Sequence, residues 1–547
     1  MPDSLYSLIF NYICSQYDKA EQSLILSELI LFSDKFIDVT ATTDTTNLTY
    51  ESLQETLSKI NEKQAIRKVR GVYYTPKDLV DFTVINTVKH YFGLLSINNI
   101  DDLSLENIAS EEFFFNTTIF DPTCGTGEFL LSALNLKFDL LDISKSISHS
   151  TIHQIVNTIY GNDINPESTL IVKLRILLFV LHQFGAKAIQ GLSSTLSPNF
   201  TQHDAVVEKG RNHYHIIVGN PPYVEDTSYL KESDVVLLEK FGNIYANVLM
   251  NASAILPDKG VFAFIVPISY ISTPRMKHLR QRLSEVMGCQ YILSYADRPD
   301  CLFVGVHQKL CILIAQKTTT PSLFTSDYHY WYKSERPQLF TQTTLVANSF
   351  ATTTFIPKLG TTTDIAIYQK VANLNAETQN TLHALLHSGT EPIYLNMRAT
   401  FWMKAFISPH NGGEYKQFGC RDSEHTALAF CLLNSSLFWW YWVVVSDCWH
   451  ITTKELINFC LPTQISKTAL QKAQTLAIEL ETQLELTKKY VGTKQVEYEY
   501  KHKYCIAQIH AIDDFIHDIF GLTQAESHYI KQYQRNYRIG EEKNERH

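Results

Sequence analysis

The sequence lacks the features of a disulfide-stapled, zinc-binding or membrane-spanning protein. Its ten cysteines are scattered over 547 residues without a CxxC pair or clustered histidines, so neither structural disulfides nor a metal site is expected. No uncharged stretch approaches the roughly 18 residues that a membrane helix needs. The N-terminus has no basic region ahead of its short apolar run, unlike a secretory signal. These absences favour a reducing cytoplasm as the compartment.

Basic residues are not in excess either. Lys and Arg number 47 against 56 Asp and Glu, which gives a net charge of −9 and excludes a uniformly basic nucleic-acid coat. The hydrophobic fraction of 45% and the charged fraction of 19% are typical of a globular chain rather than a disordered one. Its length predicts roughly three or four domains. Aromatic residues reach 12%, which leaves rings available for stacking on flat ligands.

Pattern changes divide the chain into four regions. Helical patterns come first, then short apolar runs alternate with helical patterns, which predicts a parallel sheet with helices on both faces. After Gln316 the chain becomes rich in Thr, Ser and aromatics without a helical period, which indicates a loop-rich domain. Apolar residues return at three- and four-residue spacing after Ser466, which predicts helices. The predicted boundaries are 1–60, 61–317, 318–465 and 466–547.

The first chemically informative stretch is TIFDPTCGTGEFL at 118–130. An apolar strand ends in Asp121, and a Gly125-x-Gly127 turn then opens a helix. Glycine allows the backbone a positive φ and lets a cofactor approach without a Cβ in the way. Position 130 is Leu130, so the third glycine of a dinucleotide fingerprint is absent and a pyrophosphate site is disfavoured.

Two further acids follow predicted strands. Asp163 ends the run IYGND, where an acid can bind the two hydroxyls of a ribose. The alternative is that Asp163 caps the helix that starts near Pro166. Asp204 ends the run FTQHD and can accept a hydrogen bond from an exocyclic amine, although a surface turn is the alternative.

The most specific signal is HIIVGNPPY at 215–223, where an apolar strand runs directly into Asn220, Pro221, Pro222 and Tyr223. Two prolines stiffen the chain at the carboxyl end of the strand, where ligands bind in open α/β sheets. An aromatic amine is a poor nucleophile because its lone pair is delocalised into the ring. An amide oxygen and a proline carbonyl can accept its two hydrogens and localise that lone pair, and Tyr223 offers a flat face for the base.

At this point the chain resembles the gamma-class adenine-N6 DNA methyltransferases of restriction–modification systems, over roughly 69–317, just under half of its length. The resemblance implies a Rossmann-like class I α/β core with a helical N-terminal cap, a mixed target-recognition domain at 318–465 and a helical C-terminal region. Asn220, Pro221, Pro222 and Tyr223 match the family's catalytic tetrad. The residues that it assigns to S-adenosylmethionine are Tyr73, Thr75, Pro76, Asp121, Cys124, Gly125, Gly127, Asp163, Ile164 and Asp204.

The activity that this resemblance implies is methyl transfer from S-adenosylmethionine to adenine N6 in a short DNA sequence. The base must leave its stack to reach such a pocket, and the expected role is the protective methylase of a restriction–modification system. Double-stranded DNA is the expected partner, with a cognate restriction endonuclease as a possible second one. No metal and no membrane are implied, the compartment is the prokaryotic cytoplasm, and the oligomeric state stays open.

DNA contacts are less well defined by the sequence. A basic stretch after the run GVFAFIVP could line a backbone groove, although a solvated helix face explains it equally well. Its candidate residues are Arg275, Lys277, Arg280 and Arg282. Phe303 is the candidate for stacking on the extruded base, against even odds that it is core. The aromatic run 439–442 is expected in the core.

Several alternatives remain at this point. An Asn-Pro-Pro-Tyr loop can also bind guanine or a glutamine amide, so a ribosomal-RNA or protein-glutamine methyltransferase is one alternative, and a noncatalytic DNA-recognition subunit is another. Cytosine-C5 chemistry is set aside because no Pro precedes a Cys. A fused nuclease is not expected, since the roughly 70 residues before the core offer no strand for a metal-binding acid cluster.

Overall fold

The computed structural model describes residues 3–39, 48–60, 74–100, 102, 111–141, 147–210, 213–232, 235–372, 374, 379–410, 412–492 and 498–540. A nine-stranded sheet lies at its centre, in the order β3-β2-β1-β4-β5-β7-β6-β8-β9. The strands of this sheet are β1 (Ile119–Asp121), β2 (Ile159–Asn162), β3 (Phe200–Thr201), β4 (Ile216–Gly219), β5 (Val261–Pro267), β6 (Cys289–Tyr295), β7 (Leu310–Gln316), β8 (Ser322–His329) and β9 (Val346–Ala347).

The sheet is mostly parallel, as the alternating pattern predicts, and differs from the prediction at two strands. The edge strand β9 is antiparallel to β8. β7 is antiparallel to both of its neighbours, β5 and β6. No helix lies between β6 and β7, and a parallel pair needs a crossover connection that is usually helical. The chain therefore returns from β6 through residues 296–309 and enters β7 from the same edge of the sheet.

The helices of the first half cover this sheet and form the N-terminal cap. Buried leucines of α3 (Leu53 and Leu57) anchor the cap to the core. The helices are α1 (Asp3–Gln16), α2 (Lys19–Ile30), α3 (Tyr50–Lys59), α4 (Lys77–Tyr91), α5 (Glu111–Asn116), α6 (Glu128–Asp139), α7 (His149–Val156), α8 (Pro166–Phe184), α9 (Leu192–Leu196), α10 (Asp226–Glu232), α11 (Tyr245–Ile255), α12 (Ser269–Ser272) and α13 (Lys277–Val286).

The second half contains more helix than its sequence predicts. β8 and β9 continue the central sheet beyond residue 317, and a small antiparallel sheet follows in the order β11-β10-β12, with a two-stranded ribbon near the C-terminus. These elements are α14 (Thr362–Val371), α15 (Leu382–Leu386), β10 (Glu391–Asn396), β11 (Ala405–Phe406), β12 (Tyr415–Cys420), α16 (Ser423–Asn434), α17 (Ser436–Val445), α18 (Thr453–Ile457), α19 (Lys467–Thr487), β13 (Lys489–Tyr490), β14 (Tyr498–Glu499), α20 (Ile506–Ile519), α21 (Gln524–Gln532) and α22 (Arg535–Ile539).

Helices α16 and α17 explain why the loop-rich prediction for this region was wrong in part. Every residue of α17 and nearly every residue of α16 is buried, and a helix that is apolar on all sides shows no amphipathic period. The prediction that residues 439–442 belong to the core is confirmed, because all four side chains are buried. Helix α19 also confirms its predicted spacing, since Leu470, Leu480 and Leu484 face the core.

Within the described residues, no single helix is long and apolar enough to cross a membrane. Helices α16 and α17 meet the length and composition criterion only when taken together, with a bend of 60° between them.

Strand direction brings the predicted motifs to one edge of the sheet. The parallel strands β1, β2, β3, β4, β5 and β6 all end there, and β7 begins there because Pro267 pairs with Leu310. The loops after β1, β2, β3 and β4 carry every acid and amide that the sequence selects. A site at the carboxyl edge is where open α/β sheets bind their ligands.

Candidate active site

The loop after β1 makes two tight turns that need glycine. Gly125 has φ of +51° and Gly127 has φ of +94°. A Cβ at Gly127 would lie 2.2 Å from Val172 Cγ2, so this glycine lets α6 pack closely on α8. A Cβ at Gly125 would meet no atom of the described residues within 4 Å. Among those residues, the space beside Gly125 is therefore open, as the predicted cofactor site requires.

Asp163 joins the loops after β1 and β2. Its Oδ2 accepts the backbone N–H of Gly125 at 2.9 Å and its Oδ1 accepts that of Asn165 at 2.8 Å. These bonds orient the Asp163 carboxylate, and its contact with a ribose stays a prediction. The next residue, Ile164, is 59% exposed and offers an apolar surface beside that carboxylate.

Asn162 is a structural residue of the site that the sequence reasoning missed. Its buried Nδ2 donates to the Pro122 and His203 carbonyls, each at 2.9 Å. Its Oδ1 accepts from Thr201 Oγ1 and from the His203 backbone N–H, each at 3.0 Å. One amide thus fixes the tips of β1, β2 and β3. The sequence feature that could have identified Asn162 is an amide at the last position of an apolar strand.

Asp121 is buried beneath this edge. Its Oδ1 accepts the Thr123 backbone N–H at 2.9 Å. Burial raises the pKa of Asp121 well above its usual value, and the charge of Asp163 acts in the same direction. A Cβ at position 219 would lie 2.7 Å from Asp121 Oδ1, so Gly219 lets β4 pass close to this carboxyl group.

Cys124 and Asp204 are placed less openly than the resemblance implies. Cys124 is 5% exposed, and burial raises the pKa of its thiol well above the usual value, so it is not a thiolate nucleophile. Asp204 accepts the Val206 backbone N–H at 2.9 Å and is hydrogen-bonded to the Tyr229 hydroxyl of α10. It ties the loop after β3 to the helix that follows the Asn-Pro-Pro-Tyr loop. Their contacts with a cofactor stay predictions.

The Asn220 amide is held from two sides at the end of β4. Its Nδ2 donates to Oγ1 of Thr75, at 3.1 Å, and Thr75 is itself buried. Its Oδ1 is hydrogen-bonded to the hydroxyl of Tyr223, which also lies 2.9 Å from the Ile265 carbonyl oxygen of β5. The two partners give the amide one orientation, with its oxygen facing Tyr223. Thr75 precedes Pro76, which caps α4 without a side-chain bond.

Pro221 and Tyr223 complete the loop. The Pro221 carbonyl accepts no hydrogen bond from the part of the chain that the structure describes, so it is available to an incoming donor. Tyr223 is half-buried, with its ring edge-on to Tyr245 at a centroid distance of 6.4 Å. In this arrangement the tyrosine occupies the amide oxygen with its hydroxyl. Presenting its ring face to a base requires the side chain to rotate.

Two predicted DNA contacts are buried instead. Phe303 is 2% exposed and packs in the core, so it offers no ring face to a base in this arrangement. Arg280 is 6% exposed, and its guanidinium donates to the carbonyls of Tyr270, Thr273, Thr353 and Thr354 at 2.6–3.0 Å. The prediction of Arg280 as a phosphate contact was wrong, because the side chain is buried and its terminal nitrogens donate to backbone carbonyls.

The other three basic residues lie at the surface. Arg275 pairs with Glu225 at 3.1 Å, and Arg282 lies 3.5 Å from Glu239. Lys277 is exposed. DNA contacts by these three stay predictions. Tyr73, the remaining predicted cofactor residue, lies outside the described residues.

Comparison with known proteins shows that part of the chain matches a family model. Residues 157–299 match the family model described as Eco57I restriction-modification methylase, and this segment contains Asp163, Asp204 and the Asn220–Tyr223 loop. This part of the chain is therefore similar to an Eco57I-type restriction-modification methylase domain. A methylase domain of this kind implies S-adenosylmethionine as its cofactor. The open space at Gly125, the carboxylate of Asp163 and the exposed Ile164 beside it fit that group.

Curated relatives match over part of the chain. The adenine-specific methyltransferase PglX of Streptomyces coelicolor is 22% identical over 29% of this chain and 15% of its own length. The type II methyltransferase M.CvrRI of Paramecium bursaria Chlorella virus XZ-6E is 24% identical over 48% of this chain and 51% of its own length. The chain thus spans about half or less of the length of these relatives.

A solved structure supports the fold over most of the chain. The type IIL restriction-modification enzyme MmeI, solved in complex with DNA, has a TM-score of 0.52 and 11% identity, and the match covers 95% of this chain and 84% of that one. At this identity the likeness shows the fold. The methylase domain and the sheet order confirm the predicted Rossmann-like class I methyltransferase architecture.

Proposed function

We propose that this chain transfers a methyl group from S-adenosylmethionine to adenine N6 within a specific sequence of double-stranded DNA. The observation that carries the proposal is the pair of acceptors at the end of β4. Asn220 Oδ1 is oriented by Thr75 on its other side, and the Pro221 carbonyl has no donor among the described residues. An exocyclic amine has two hydrogens to donate, and this pair can accept both.

The Tyr223 hydroxyl supports the assignment of the amide oxygen. It occupies the position from which a donor binds Asn220 Oδ1. An incoming amine takes the same position, so Tyr223 must swing aside, and its ring then becomes free to stack on the base. The Ile265 carbonyl, which also contacts the hydroxyl, lies on the rigid strand β5 and stays in place.

Acceptance of both hydrogens changes the reactivity of the amine. The nitrogen moves toward tetrahedral geometry, its lone pair becomes localised, and the lone pair forms the new C–N bond. S-adenosylmethionine, when bound, would supply an electrophilic methyl group on a sulfonium, and the S–CH3 bond would break with its electron pair left on the sulfur of a neutral thioether. The amine loses one proton to solvent after transfer, since neither an amide nor a carbonyl is a base. The target adenine must first leave the duplex stack to reach this edge.

The proposed biological role is protection of DNA within a restriction–modification system. The Eco57I-type domain supports this role, and PglX, a relative over 29% of the chain, is described as adenine-specific. A cognate restriction endonuclease is the proposed partner in that system. We place the protein in the cytoplasm of a prokaryotic cell, where such DNA is accessible.

The test is methylation of DNA that lacks N6-methyladenine by the purified chain. We expect N6-methyladenine at one sequence motif, and Asn220→Ala should lower kcat by at least about a hundredfold, the loss typical of one stabilising group in an active site. Asn458→Ala is the control, because among the described residues the Asn458 side chain bonds only to the nearby Lys454 carbonyl. Methyl groups on cytosine or RNA, or full activity of Asn220→Ala, would contradict the proposal.

A further inference from the structure

Three cations converge on one tryptophan at the same edge of the sheet. The Arg398 guanidinium lies 4.2 Å from the ring centroid of Trp449, the Lys309 ammonium lies 4.4 Å away and the Arg298 guanidinium 5.4 Å away. These four residues are called the Trp449 cluster. Each separation is within the range of a cation–π interaction. The ring gathers three positive charges that otherwise repel each other.

The backbone holds Trp449 in place. The Ala399 N–H donates to the Trp449 carbonyl at 3.2 Å, and the Ile451 N–H donates to the Met397 carbonyl at 2.8 Å. Two backbone hydrogen bonds thus join residues 397–399 to residues 449–451. Cys448, directly before Trp449, has φ of +56°. A non-glycine residue in this left-handed region is strained and persists only where its surroundings fix it. The ring is therefore a preset platform.

The cluster lies beside the candidate active site. The Lys309 carbonyl accepts the Ile268 N–H at 2.9 Å, just beyond the end of β5, whereas the Tyr223 hydroxyl contacts the Ile265 carbonyl of the same strand. Three residues of extended chain span about 10 Å. The cluster thus begins about 10 Å outward from the proposed position of the target amine, a distance of about three nucleotides along a strand at about 3.4 Å per nucleotide.

Its charge is only partly balanced. The buried Asp297 lies 3.6 Å from the Lys309 ammonium, and Glu414 lies 4.0 Å from the Arg398 guanidinium. Arg298 is exposed and, among the residues described, has no carboxylate within 4.0 Å. The nearby Asp447 carboxylate binds the Trp449 and His450 backbone N–H groups. Arg275 and Arg282, by contrast, each have an exposed acid as partner.

We infer that the Trp449 cluster binds backbone phosphates of the DNA strand that carries the target base, within about three nucleotides of that base. This inference rests on the proposed function, because it takes double-stranded DNA as the substrate. Phosphate contacts fix the register of a protein on DNA without reading its sequence. The exposed Arg298 guanidinium, which lies over a ring and has no acid partner among the described residues, keeps its donors for phosphate oxygens.

The test compares DNA binding by two double variants of the full chain. Arg298→Gln/Arg398→Gln removes two cluster charges, and Arg421→Gln/Arg535→Gln removes two charges from other exposed arginines. The ligand is a mixed-sequence DNA duplex, followed by fluorescence anisotropy from 50 to 200 mM salt. We expect the cluster variant to bind about tenfold more weakly, with the salt slope reduced by about 1 to 2 because about one phosphate contact is lost per arginine.

Further measurements separate the possible outcomes. The cluster variant should keep the wild-type kcat at saturating DNA and raise KM, and Trp449→Phe should bind more tightly than Trp449→Leu because it keeps a ring. If the wild type methylates DNA but the cluster variant matches the control, only this inference fails. If the wild type binds S-adenosylmethionine but neither binds nor methylates DNA, the proposed function fails and the inference with it. The inference would also fail if the cluster variant bound an RNA duplex more weakly than the wild type does but bound the DNA duplex equally well.

Discussion

The loop after β4 and the region around α13 differ in how their polar side chains are buried and hydrogen-bonded. At the loop, Asn220 is half-buried, one of its atoms is fixed by Thr75, and its acceptor oxygen meets a side chain that can move. Under α13, Arg280 is buried and four fixed backbone carbonyls surround its guanidinium. Function needs the first arrangement, in which one atom stays available. The second arrangement uses both terminal nitrogens of the guanidinium to hold the fold.

This difference explains which of the predicted residues lie at the open edge of the sheet. Asn220 was selected by its position at a strand end as well as by its residue type, and the structure places it at the open edge. Arg280 was selected by charge alone, and charge does not distinguish a phosphate ligand from a buried brace. Position relative to a strand end is thus the more informative signal in this fold.

The largest effect is expected from Arg280→Leu. The substitution leaves the carbonyls of Tyr270, Thr273, Thr353 and Thr354 without their donors, and should lower the free energy of unfolding by about 3 kcal/mol. Urea unfolding measures the loss. Arg280→Lys keeps the charge with fewer donors in a different geometry and should lose about half as much. A loss below about 1 kcal/mol would show that water replaces the guanidinium and would weaken the comparison.

The sequence predicted the strands and helices of the fold better than it predicted the contacts around the candidate site. Apolar runs bounded by turn residues marked β1, β2, β4, β5 and β7, and the glycine turn placed α6. The direction of β7 was missed, because strand direction depends on what lies between strands rather than on their composition. Helix α17 was not recognised as a helix because a fully buried helix has no polar face to set its period.

Within the site, the sequence identified the groups at the strand ends but not what orients them. Thr75 was assigned to the cofactor, whereas the structure shows its hydroxyl on the Asn220 amide. These two residues are separated by 145 positions, so no local pattern links them. The bonds of Asn162 to three strand tips are likewise long-range. Hydrogen bonds between residues this far apart in the sequence form only when the sheet brings its loops together.

An intermediate effect is expected from Thr75→Val at the open edge. Valine keeps the shape and removes the acceptor for Asn220 Nδ2, so the amide can turn its oxygen away, and kcat should fall about tenfold. Thr75→Ser retains the hydroxyl and should restore most of the rate. The affinity for S-adenosylmethionine, measured by calorimetry, separates the two roles of Thr75. A tenfold loss of cofactor affinity with unchanged kcat would favour the cofactor contact and contradict a positioning role.

The smallest effect is expected from Arg282→Gln, two residues along the same helix from Arg280. Arg282 lies 3.5 Å from Glu239 and 3.7 Å from Glu285, and its side chain is 42% exposed. Exposed ion pairs contribute little because water and salt screen them, so the free energy of unfolding should change by less than about 0.5 kcal/mol. The same urea measurement as for Arg280 applies. If Arg282→Gln lowered the free energy of unfolding as much as Arg280→Leu, burial would not be what distinguishes the two arginines. The bonds from Arg280 to the carbonyls of Thr353 and Thr354 would then not account for the stability attributed to them.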